Sequence, residues 1–148
     1  MEEESGKVLI VLFSGTVDRL LMMASLAWGA AAMGQEVVIF LQTWGAYAFL
    51  KGNPEKLDQY DPNSRWSEEY KDLVPKVIQE MKRAGTASWY ELLQDIKEDG
   101  LLKIYVCSTA AEQMGVNSKE AFDGLVDDIT GVVECAQIAE TAMYTYYI

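Results

Sequence analysis

The chain has 148 residues, with 12 Lys and Arg against 23 Asp and Glu, a formal net charge of -11. That length suits a single domain, and such a surface repels phosphate backbones and anionic headgroups, so neither nucleic acid nor a membrane is an expected partner. There is no histidine, and the two cysteines are Cys107 and Cys135, which excludes Ser-His-Asp and Cys-His mechanisms within one chain, a Cys/His zinc site and a disulfide framework.

Lys7–Phe13 is an unbroken apolar run, the pattern of a strand buried on both faces of a parallel sheet. Ser14-Gly15-Thr16-Val17-Asp18 is a turn into a helix, with Ser14 or Thr16 as N-cap and Asp18 in the first turn. That helix runs to about Met33 and stops at Gly34. Glu36–Thr43 is a second buried strand, so the opening reads β-α-β with a right-handed crossover. Trp44-Gly45 follows at its C-terminal end.

Residues 51–66 are polar, contain Pro54 and Pro62, and predict a loop or an insert with little regular structure. Helical spacing resumes over Trp66–Arg83, where Pro75 either starts a new helix or kinks this one. Ser88 and Glu91 have capping-box spacing ahead of a helix to about Asp99. Lys103–Cys107 is a third strand, and Thr109 and Glu112 repeat the capping-box spacing behind it. Ser118–Phe122 is a helical turn, and Asp127–Thr130 a short fourth strand. Gly131–Ala142 reads as a helix, unless Val132-Val133 extends the strand, and the Tyr-rich Met143–Ile148 is a final strand. The alternation predicts a three-layer αβα sandwich.

No apolar run is long enough to span a bilayer; the longest, Leu20–Met33, is interrupted by Ser25 and Gly29. Glu2, Glu3 and Glu4 stand where a secretory leader needs positive charge, so the expected location is cytoplasmic.

Ligand sites of open parallel sheets lie at the C-terminal strand ends. Three segments converge there: Ser14-Gly15-Thr16, Trp44-Gly45 and Cys107-Ser108-Thr109. Cys107 closes a strand ahead of a helix N-terminus, whose free N–H groups favour a thiolate, and a thiolate attacks or carries sulfur. The competing reading is a buried structural cysteine. Cys135, inside the last helix, reads as a small buried hydrophobe, with a resolving role for Cys107 as the alternative. Ser14–Thr16 resembles a phosphate-binding turn but lacks G-x-G-x-x-G and G-K-[ST]. Trp44 either lines a pocket or packs at a strand end. Glu68, Glu69 and Asp72 form a solvated helix face.

The stretches Phe13–Asp18, Ala27–Gly34 and Val37–Gly45, followed by Leu101–Cys107, Met114-Gly115 and Gly131, resemble the DsrE/DsrF/DsrH-like family along nearly the whole chain. The resemblance implies one DsrE-like domain over residues 1–148, with a variable helical insert at about 46–85. It implies a five-stranded, mostly parallel sheet between helices, a homo-trimer, homo-hexamer or hetero-hexamer, with a homo-oligomer expected, and no metal or organic cofactor. It also implies a sulfur relay in which Cys107 accepts and passes sulfane sulfur, as persulfide or thiosulfate sulfur. Partners would be donor and acceptor proteins or small sulfur anions. Ser14, Gly15, Thr16, Trp44, Ser108 and Thr109 are the expected substrate-binding set. The alternative reading is a non-catalytic assembly or regulatory subunit, and a third is a nucleotide or small-molecule module at Ser14–Thr16.

Overall fold

In the computed structural model, which describes residues 5–148, five strands form one sheet in the order β4-β3-β2-β1-β5. The acidic run Glu2–Glu4 lies outside the described residues. The strands are β1 (Lys7–Leu12), β2 (Glu36–Leu41), β3 (Leu102–Cys107), β4 (Asp128–Thr130) and β5 (Tyr144–Tyr147). Every neighbouring pair is parallel, so the sheet is wholly parallel. Leu12 pairs with Leu41 and Leu41 with Val106, which aligns the C-terminal ends of the three central strands.

Strand order decides which face each helix covers. From β1 to β4 the chain steps in one direction, so right-handed crossovers place α1 (Val17–Ala32) and α5 (Trp89–Glu98) on one face. The connection from β4 to β5 returns across the sheet, so α7 (Val132–Thr141) takes the opposite face. α1 and α5 pack on each other, and α1 buries Leu20, Met23, Ala24 and Ala27 completely. Its small residues let it approach the sheet closely. α7 buries no side chain fully. The core is the strand interior, including Leu9, Ile10, Phe40, Ile104 and Val106, closed by these helices.

The insert between β2 and β3 holds α2 (Thr43–Ala48), α3 (Asn53–Lys56), a 3₁₀ turn over Glu68–Leu73, and α4 (Val74–Ala84). Long-range hydrogen bonds from two buried residues fix its first half. The indole N–H of Trp89 donates to the Leu57 carbonyl at 2.9 Å. The Gln59 side chain accepts from the Trp89 backbone N–H and donates to the Ala87 carbonyl, both at 2.9 Å. The polar segment 51–66 is thereby bolted to the start of α5.

Local chemistry explains where the elements depart from expectation. β2 stops at Leu41, because Thr43 turns the chain with a φ of 38° and opens α2, its hydroxyl donating to the Phe13 carbonyl. Pro75 sits in the first turn of α4, so it starts a helix and does not kink one. Ser88 and Glu91 form both halves of a capping box. Thr109 and Glu112 do not: α6 (Ser108–Gln113) begins immediately after β3, so Cys107 is the N-cap and Thr109 already lies inside the helix. Val132 opens α7 and does not extend β4.

Candidate functional site

The three segments do meet at the C-terminal end of the sheet, but they divide into two places. The first is a pocket of about 480 Å³ over the ends of β1 and β2. Ser14, Gly15, Thr16 and Trp44 line it. Backbone contact draws them together: the Gly45 N–H donates to the Phe13 carbonyl at 3.1 Å. A Cβ on Gly15 would strike the Trp44 carbonyl, and one on Gly45 would strike the Leu12 carbonyl, so only glycine permits this approach. Thr16 is the N-cap of α1, though its hydroxyl does not cap. Instead it lies 3.2 Å from the Ser14 hydroxyl.

The insert supplies the other walls. Tyr47, Asn53, Lys56, Asn63 and Arg65 all line the pocket. The Arg65 carbonyl accepts from the Val17 N–H at 2.6 Å, which pins this segment to the start of α1. Arg65 also stands 6.0 Å from the Tyr47 ring centroid, and Tyr47 meets Trp44 edge to face at 5.8 Å. Of these, only Trp44 stood out from the sequence. The available signal for the cations was the crowding of 8 of the 12 basic residues into residues 51–100.

The second place is Cys107. It is 1% exposed, and Cys107, Ser108 and Thr109 are not among the residues lining the pocket. β3 is the neighbour of β2 and lies two strands from β1, about 5 and 10 Å away at ordinary strand spacing. Alternation sends Lys103, Tyr105 and Cys107 to one face. Tyr105 shares a cavity with Glu134 and Ile138, which identifies that face as the one α7 crosses. Cys107 pairs in register with Thr130, five residues before Cys135 in the first part of α7.

Cys135 is half-buried against the core, and both cysteines are free thiols. Burial pushes the Cys135 thiol up, and the nearby Cys107 acts in the same direction. Tyr90 donates to the Asp123 carboxylate at 2.8 Å, and burial followed by that bond raises its phenol far above the ordinary range. Among the described residues no group of three or more Cys, Asp or Glu is placed to hold a metal ion, and no helix is long and apolar enough to cross a membrane.

A doubly covered parallel sheet, with a thiol at one strand end and a pocket at the neighbouring ends, defines an α/β protein of the kind whose sites lie at strand C-termini. The chain belongs to the DsrE/DsrF/DrsH-like family, whose model matches residues 4–145. It is 28% identical to the uncharacterized protein YrkE of Bacillus subtilis, with 100% of each chain covered. Its fold is similar to that of a protein of unknown function from Methanobacterium thermoautotrophicum, with a TM-score of 0.59 at 13% identity, covering 97% of this chain and 100% of that one.

Proposed function

We propose that this protein is a sulfur carrier that accepts and passes sulfane sulfur on Cys107. The observation that carries the reading is the position of Cys107: last residue of a central strand and N-cap of α6, in a DsrE-like chain. In the forward step the Cys107 thiolate attacks the outer sulfur of a donor persulfide. A Cys107 persulfide forms and the donor leaves as its thiolate. With thiosulfate as donor, the leaving group is sulfite. An acceptor thiolate then takes the outer sulfur and regenerates Cys107. No net oxidant is needed in either step. Ser108 and Thr109 follow the thiol in the first turn of α6.

A thiol that is 1% exposed cannot meet a donor in the closed chain. Opening must therefore precede transfer, and α7, which buries no side chain fully, is the cover that opens. The test is intact mass after incubation with polysulfide or thiosulfate. Wild type and Cys135→Ser gain about 32 Da per bound sulfur, removable by a thiol, and Cys107→Ser gains none. A gain that persists in Cys107→Ser would overturn the reading.

The burial of Cys107 favours one second reading, an assembly or regulatory subunit. Tyr144, Tyr146 and Tyr147 are exposed on the edge strand β5, beside the exposed Met143, and Met22 and Trp28 are exposed on α1. Such an open edge suits self-association as a homo-oligomer, which either reading accommodates. Light scattering after gel filtration measures that state. A Cys107 inert to sulfur donors in the assembled oligomer would select the second reading.

A further inference from the structure

The pocket over β1 and β2 has a charge pattern that the chemistry of a thiol does not require. Acids outnumber bases by 23 to 12 in the chain, yet Lys56 and Arg65 line this pocket and no Asp or Glu does. Among the described residues neither cation has a carboxylate partner within ion-pairing distance. Two uncompensated cations in a recess of an acidic molecule focus a local positive potential. The guanidinium offers a planar fork and the ammonium a point charge, the pair of groups that together suit a phosphate.

The other wall is aromatic. Trp44 and Tyr47 remain 61% and 40% exposed while held edge to face. Trp44 therefore presents apolar ring surface that the fold itself does not use. The volume of about 480 Å³ lies within the range of small-molecule sites, and a bare oxyanion would leave most of it empty. The segment bearing the cations is held in place by the buried Gln59 and Trp89, so the pocket is preformed.

We propose that this pocket binds a nucleotide-class ligand, its planar ring against Trp44 and Tyr47 and its phosphate between Lys56 and Arg65. The Ser14 and Thr16 hydroxyls supply hydrogen bonds between the two ends. Recognition is by side chains, which is consistent with the missing glycine-rich phosphate motifs. Binding as such is independent of sulfur transfer; only a role for the ligand as the handle of a sulfur donor or acceptor rests on the sulfur-carrier reading.

The test is calorimetric titration of the full chain at low ionic strength with ADP, adenosine and pyrophosphate. ADP binds, and adenosine and pyrophosphate each bind at least about tenfold more weakly, because each lacks one half of the recognition. Lys56→Ala, Arg65→Ala and Trp44→Ala each weaken ADP by about five- to tenfold. All three side chains are exposed, so the variants fold, which circular dichroism verifies. Cys107→Ser keeps wild-type ADP affinity, so a failure of sulfur loading and a failure of this site are separate results. The proposal is overturned if ADP gives no heat at millimolar concentration, if pyrophosphate or adenosine alone binds as well as ADP, or if the three variants bind unchanged.

Discussion

The two faces of the sheet are covered by helices of different quality. On one, α1 and α5 pack together and between them bury Leu20, Met23, Trp89 and Leu93 to 1% exposure or less. On the other, α7 crosses alone, with Cys135, Ile138 and Ala139 only half-buried and Val132 and Val133 exposed. Cys107 points toward the second face. On the sulfur-carrier reading, a well-buried scaffold on one side and a lightly buried cover on the other would let the thiol be stored away from oxidants and still be reached. Local opening costs free energy in proportion to the apolar surface it exposes, so the less a helix buries, the more often it lifts.

The sharpest way to break this comparison is to cut large side chains on the two faces. Trp89→Ala removes a buried indole and its hydrogen bond to the insert, and should cost about 3–5 kcal/mol in urea unfolding. Leu20→Ala on α1 should cost about 2–5 kcal/mol. Ile138→Ala on α7 should cost about 1 kcal/mol, because the side chain is only partly removed from water. The same Ile138→Ala change should speed alkylation of Cys107 in the native state, while Leu20→Ala should not do so selectively. Equal costs on the two faces would refute the description of α7 as a loose cover.

A smaller effect concerns Cys135. Its thiol is held above the ordinary cysteine range, so its thiolate fraction at about pH 8 is lower than that of a free cysteine. Alkylation of Cys135 in Cys107→Ser should therefore be slow at that pH and rise toward the rate of an exposed thiol only at higher pH. Removing Cys107 should also lower the Cys135 midpoint slightly.

Tyr90 gives the smallest effect. Its phenol is raised in the folded state, so folding favours the protonated form. That stabilisation is fully present below about pH 10, the unfolded value, and is lost as the pH rises beyond it. Wild type should lose more stability than Tyr90→Phe between about pH 8 and pH 11 in denaturant titrations. A parallel loss in both proteins would contradict the Tyr90–Asp123 account.

The strands were legible because residues buried on both faces leave continuous apolar runs, as in Lys7–Leu12 and Glu36–Leu41. The Ser88–Glu91 box was legible because both partners are local. Thr109–Glu112 has the same spacing and fails, because α6 opens at Ser108, directly behind β3, and leaves Thr109 inside the helix. The insert was least legible. Polar composition reads as loop, and nothing periodic betrays that Gln59 bonds to Trp89, thirty residues away. Lys56 and Arg65 owe their place in the pocket to that anchoring. Cys135 reads as an isolated core residue in the sequence, and only the return of α7 across the sheet brings it near Cys107.

The most direct measurement of the central claim is peptide-resolved mass spectrometry of the full chain after brief exposure to polysulfide, with wild type, Cys107→Ser and Ile138→Ala side by side. The account predicts sulfur on the Cys107 peptide in wild type, faster loading in Ile138→Ala, and none at that position in Cys107→Ser. Loading confined to Cys135, or no loading of Cys107 even when α7 is loosened, would contradict it.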